Sequence, residues 1–249
     1  MRFINPAEVD EPTFEDIMTT KIDFFEDVTA DEARRYCKDR AITYLPSKLD
    51  RASVFKLEGS SFLRIPIEET QTVAPAKKIF DEDVSELFNK NEVIFVFDKG
   101  RIIGITHFCD YNRDPVFIYL YSKMLKFEKK LRETLIRKGL NNSHMKDFFA
   151  GKSYENEVYA EKLVGFDKLH LKALEPFQCF LLTDLLSLLA RNGISINQEP
   201  ITAMRNHIMH IKNVIKNKDY EKANLIYDFA SFEGLIKSFK EFKKTNELL

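Results

Sequence analysis

Apolar residues recur along this chain with two different periods, and the change of period divides it in two. In the first half they gather in short β-rich runs, Ile42-Thr-Tyr-Leu-Pro46 and Val93-Ile-Phe-Val-Phe97, offset by 51 residues. Each run follows a short helical pattern, so a weak repeat of helix leading into strand is expected. Thr29-Ala-Asp-Glu32 has the spacing of a capping box that opens the first of these helices. Asp98-Lys99-Gly100 then predicts a tight turn into Arg101-Ile-Ile-Gly-Ile-Thr-His-Phe108, a hairpin with Gly where a positive φ is needed.

The helical period takes over at Pro115. No helix breaker interrupts residues 115–138, and Phe117, Leu120, Met124, Phe127, Leu131 and Leu135 fall at helical spacing. One helix of about 36 Å is therefore expected to join the halves without a flexible linker. Asp114 can cap its first amides, and Pro115 suits its first turn. Gly139-Leu-Asn-Asn142 ends it, and the polar stretch to about Asp167 reads as loop with room for one short helix. Three more helices are expected at about 168–192 with a kink at Pro176, 200–217 and 220–244. The last carries one apolar stripe of Ile226, Phe229, Phe232, Ile236, Phe239 and Phe242. The fold class is thus α+β, with an α/β module over 12–118 and an all-helical domain over 119–249.

Composition excludes several classes. The longest apolar stretch, Phe177 to Ala190, is interrupted by Gln178, Thr183, Asp184 and Ser187, too polar for a membrane span. Met-Arg-Phe-Ile-Asn-Pro at the start lacks the apolar block of a signal peptide, so a cytoplasmic protein with no membrane partner is expected. Cys37, Cys109 and Cys179 are widely spaced and point to neither a disulfide framework nor a zinc site. Charge is uneven: residues 1–118 carry 16 Lys and Arg against 23 Asp and Glu, a net −7, and residues 119–249 carry 22 against 16, a net +6. That asymmetry fits an anionic partner such as RNA on the second half, or simply Lys-rich solvated helix faces.

Candidate chemistry lies in Arg205-Asn206-His207-Ile208-Met209-His210. Arg followed by His after a few residues also occurs from Arg101 to His107 and from Arg137 to His144, but the first pair spans a strand and the second crosses Gly139. Only the third lies within one expected helix. Arg is a permanent cation whose planar fork suits phosphate oxygens, and His exchanges a proton near neutral pH. Asn206 and His210 share a helix face, and Arg205 is long enough to reach toward them. Competing readings are an Arg205 ion pair with Asp184, or His207 and His210 as packed or surface residues. A metal at His207 and His210 lacks a third ligand at matching spacing.

Two resemblances bear on function. Gly100-Arg-Ile-Ile-Gly-Ile-Thr-His-Phe-Cys-Asp110, with the repeat before it, resembles the second motif of a paired CBS module, a regulatory domain that binds adenine nucleotides between its repeats. The resemblance implies Asp110 on the ribose hydroxyls and, at the phosphate-contacting Ser/Thr position, His107. The first repeat, around Phe55 to Ile65, shows no comparable ending, and the alternative for Asp110 is to cap the following helix. The second half resembles the HEPN family, four-helix bundles whose members include toxin and defence ribonucleases. Arg205, Asn206 and His210 match its motif. That resemblance implies an endoribonuclease needing no metal or cofactor for cleavage, working at a composite site in a homodimer. An RNA 2′-OH would attack phosphorus, His210 would move the proton, Arg205 would stabilise the phosphoryl charge and Asn206 would orient a partner group. An adenine nucleotide on the CBS-like module would act as effector. The alternative is a non-catalytic nucleotide-sensing regulator that dimerises or holds a partner protein.

Overall fold

The computed structural model describes residues 9–39, 42–91, 93–170, 176–177, 180–194, 196–209 and 229–248. Among these residues it is mixed α+β, with nine α-helices and two three-stranded sheets. In the first sheet β1 (Tyr44–Pro46), β2 (Ser53–Glu58) and β3 (Ser61–Pro66) run antiparallel in sequence order. In the second, β5 (Val93–Asp98) lies between β4 (Thr72–Val73), parallel to it, and β6 (Arg101–His107), antiparallel to it.

The expected repeat is present as helix, strand, strand. Helix α2 (Ala30–Asp39) leads into β1 and β2, and α3 (Val84–Lys90) leads into β5 and β6. The third strand differs, being the following β3 in one sheet and the preceding β4 in the other, so the two sheets are not copies. Thr29 forms the capping box: Glu32 N donates to Thr29 Oγ1 at 3.3 Å and Thr29 N donates to Glu32 Oε2 at 2.9 Å. At the β5–β6 turn both central residues are left-handed, Lys99 at φ 49° and Gly100 at φ 76°. Two positive φ values match the right-handed twist of the paired strands.

Before the repeat, α1 (Phe14–Ile17) delivers an extra edge to β6, where Thr19 N donates to Ile105 O at 2.8 Å and Ile105 N to Thr19 O at 3.1 Å. Gly104 makes this approach possible, since a Cβ there would stand 2.8 Å from Met18 Cβ.

The chain divides into two compact units. Among the described residues one takes 9–119 with 229–236, and the other takes 120–209 with 237–248. Helix α4 (Asp114–Arg137) supplies residues to both, as does the last helix, α9 (Phe229–Leu248). The apolar stripe of α9 is accordingly split. Phe232 meets Tyr111 with ring centroids 5.0 Å apart, and Phe242 meets Phe127 at 5.1 Å. The domain expected over 119–249 therefore shares its last helix with the N-terminal unit, because the first turns of α9 bury aromatic rings there. Helix α4 closes as its sequence predicts: Gly139 has φ 75°, and Leu140 N donates to Leu135 O at 3.1 Å.

The stretch expected as loop before Asp167 is instead two helices, α5 (Asn142–Ser153) and α6 (Glu157–His170). Asn141 caps α5, its Oδ1 accepting from Ser143 N at 3.0 Å, and Met145, Phe148 and Phe149 bury one face. The single kinked helix expected over 168–192 is also corrected. Phe177 takes φ 64°, which no right-handed helix can accommodate, and α7 begins only at Leu182 and runs to Arg191. Helix α8 covers Gln198–Met209. Among the described residues no helix is long and apolar enough to cross a membrane.

Candidate functional site

In the helical unit the site is built on α6, α7 and α8. Helix α7 is strongly amphipathic, burying Leu182, Leu185, Leu186, Leu188 and Leu189, yet the same face also buries Asp184. A buried carboxylate needs a cationic partner to be tolerated. Lys162 of α6 supplies it, with Nζ 2.6 Å from Asp184 Oδ1. The Lys162 ammonium also lies over the Tyr159 ring, 5.0 Å from its centroid, and 5.6 Å from that of Phe149. The Arg205 to Asp184 ion pair weighed from the sequence is not the one formed, because Lys162 occupies that carboxylate.

Arg205 sits at the edge of the buried face of α8, which Ile201, Met204 and Ile208 define. It is half-buried, and its Nε is fully enclosed with no hydrogen-bond partner among the described residues. A buried donor without a partner costs roughly 1–3 kcal/mol. Such a group is held in place by its surroundings rather than by a bond of its own. Asn206 follows in the same helix; its side chain, like the whole of His210, lies outside what the structure describes.

One turn from the Lys162–Asp184 pair, residues of α5, α6, α7 and the start of α8 line a cleft of about 520 Å³. Phe148 and Tyr159 form its aromatic wall, their rings perpendicular at 5.7 Å. Lys152 and Arg191 stand at its rim, and Gln198 places the first turn of α8 beside it. Sequence reasoning missed this cleft because α5 and α6 were not expected. The signal was present in the Asn141-Asn142 cap followed by Met145, Phe148 and Phe149 at helical spacing.

In the N-terminal unit His107 and Asp110 are brought together at the end of β6, in a 3-10 turn over Phe108–Asn112. Asp110 Oδ2 accepts from His107 N at 2.8 Å, and Asp110 Oδ1 accepts from Arg113 Nε at 2.9 Å. Arg113 continues to Met18 O at 2.9 Å and Thr19 Oγ1 at 2.6 Å. Asp110 thus anchors, through Arg113, the segment that pairs with β6. His107 Nδ1 accepts from Cys109 N at 3.2 Å. Burial holds the imidazole down at about 4, so it is neutral at pH 7, and burial pushes the Cys109 thiol up to about 12. A thiol held protonated is no nucleophile. Burial likewise raises the Asp110 carboxyl, against the opposing effect of the His107 amide and the Arg113 guanidinium.

Comparison of the chain with protein-family models, with curated proteins and with solved structures finds no match.

Proposed function

We propose that the protein is a metal-independent endoribonuclease of HEPN type, acting as a homodimer in which two copies of α8 form a composite site. The observation that carries the reading is the enclosed, unpartnered Nε of Arg205 on α8. A guanidinium with no carboxylate partner among the described residues suits phosphoryl oxygens. The 2′-OH attacks phosphorus as the P–O5′ bond breaks, giving a 2′,3′-cyclic phosphate and a 5′-hydroxyl; Arg205 stabilises the charge that grows on the phosphoryl group, Asn206 orients a partner group, and His210 takes the 2′-OH proton or gives one to the leaving 5′-oxygen.

The N-terminal unit is the proposed sensor, CBS-like in its helix, strand, strand repetition, with an adenine nucleotide as effector and His107 and Asp110 as its contacts. Helix α4, which supplies residues to both units, is the proposed transmitter. Only an effector with different affinity for the active and inactive arrangements can regulate in this way.

The reaction leaves a chemical signature. RNA cut in excess EDTA should carry 2′,3′-cyclic phosphate ends, which acid treatment converts to monoesters. Products with 5′-phosphate and 3′-hydroxyl ends would show a different mechanism.

A further inference from the structure

Lys152 of α5 and Arg191 of α7 both line the cleft with exposed side chains, and Glu155 lines it beside Lys152. Lys152 shares its charge with Glu155 at 2.9 Å, whereas Arg191, the last residue of α7, has no ion-pair partner among the described residues. Behind them lies the half-buried Tyr159, its ring packed against the buried Phe148. The combination is amphipathic: a cationic mouth over aromatic surface, in a volume within the roughly 300–1,000 Å³ of small-ligand sites. It matches a nucleotide, whose phosphate is anionic and whose base is a flat apolar ring with polar edges. A purely apolar ligand would leave the guanidinium idle, and a bare phosphate would leave the aromatic wall unused.

The position along α8 indicates which nucleotide. Gln198 lines the cleft, and Arg205 follows it by seven residues. Seven residues turn a helix to within about 20° of two full turns and advance it by about 10.5 Å, so the two side chains leave α8 on the same side. We propose that the cleft seats one nucleotide of a single-stranded RNA, with Arg191 and Lys152 on its phosphate and Phe148 and Tyr159 beside its base. As a substrate subsite this rests on the endoribonuclease reading; as a binding site it stands on the cleft alone. The Lys162–Asp184 pair ties α6 to α7, two of the helices that line it.

The test uses the full chain and a fluorescent single-stranded RNA whose riboses are 2′-O-methylated, so that it binds without being cut. Arg191→Glu and Lys152→Glu should each weaken binding at least tenfold, and Arg191→Lys should retain most of it. Arg191→Gln should also flatten the dependence of log affinity on log salt by about 0.7, the signature of one lost single-strand phosphate contact. Absence of binding by the wild-type chain, or wild-type affinity in both charge reversals with unchanged circular dichroism, overturns the proposal. So does binding of free AMP at the cleft without binding of the strand. If the variants behave as expected but unmodified RNA is never cut, the cleft assignment stands and the nuclease reading falls.

Discussion

Lys162 reaches across from α6 to Asp184 on α7, and its Nζ lies 2.6 Å from a carboxylate whose side chain is only 3% exposed. This pair does two things at once. It neutralises the one acidic group on an otherwise leucine-lined face, and it leaves Arg205 without that carboxylate.

Removing one partner of a buried pair strands the other. Asp184→Ala should therefore lower unfolding stability by about 3 kcal/mol. The double replacement Lys162→Met with Asp184→Leu should cost far less, because no charge is then left buried. Urea unfolding of Lys162→Met, of Asp184→Leu and of the double variant measures the coupling; additive losses would contradict the pairing.

Gly104 should tolerate no side chain. Its neighbour is Met18 Cβ, a nearly fixed atom, at 2.8 Å from the added methyl, so Gly104→Ala must push the N-terminal segment off β6. The expected loss is about 1–3 kcal/mol, typical of overpacking. Met18→Ala in the same chain should recover part of it, since the rest of the Met18 side chain also crowds the site. Thermal denaturation of both variants provides the check.

His107 gives stability a pH dependence of known sign. Its folded value of about 4 lies below the ordinary 6.5, so between those values the unfolded chain binds more protons and stability falls as pH falls. The loss, about 3 kcal/mol when complete, is absent above pH 6.5. Asp110 acts oppositely: its raised carboxyl binds protons more readily when folded, so its contribution favours the fold at low pH and is lost as pH rises through its raised value. Denaturant midpoints at pH 7 and pH 5 should differ in wild type and nearly coincide in His107→Asn. Equal slopes in the two proteins would contradict a buried neutral imidazole.

Helix α2, the β5–β6 hairpin and α4 were legible in the sequence because local chemistry specifies them. Lys99-Gly100 sets the turn, Thr29 and Glu32 start α2, and Gly139 stops α4, each through neighbours within a few residues. Strand β4, two residues long, is too short to show a period, and its partner lies more than twenty residues on. Helices α5 and α6 were hidden by charge: Lys146, Asp147, Lys152, Glu155 and Glu157 mask the few apolar positions that bury a face. The motif residue Arg205 was legible, but its freedom from Asp184 was not. That depends on Lys162, which lies 22 residues from Asp184 and becomes its neighbour only when α6 packs on α7.

If adenine nucleotides are the effector, saturating AMP should raise the melting temperature, since a ligand at a hundred times its Kd adds about 2.7 kcal/mol to the folded state. Asp110→Asn should weaken that shift while leaving the unliganded fold with most of its stability, because Asn still accepts from the His107 amide. A melting temperature unmoved by AMP, ADP and ATP would leave Asp110 with its structural role alone.

The most direct measurement is cleavage of a labelled single-stranded RNA by purified wild type, Arg205→Ala and His210→Ala in excess EDTA, with folding of each variant verified by circular dichroism. Wild type should cut, and each variant should lose at least a hundredfold in rate, on the order of 3 kcal/mol of transition-state stabilisation. Equal traces in all three proteins, whether cut or uncut, would contradict the nuclease assignment.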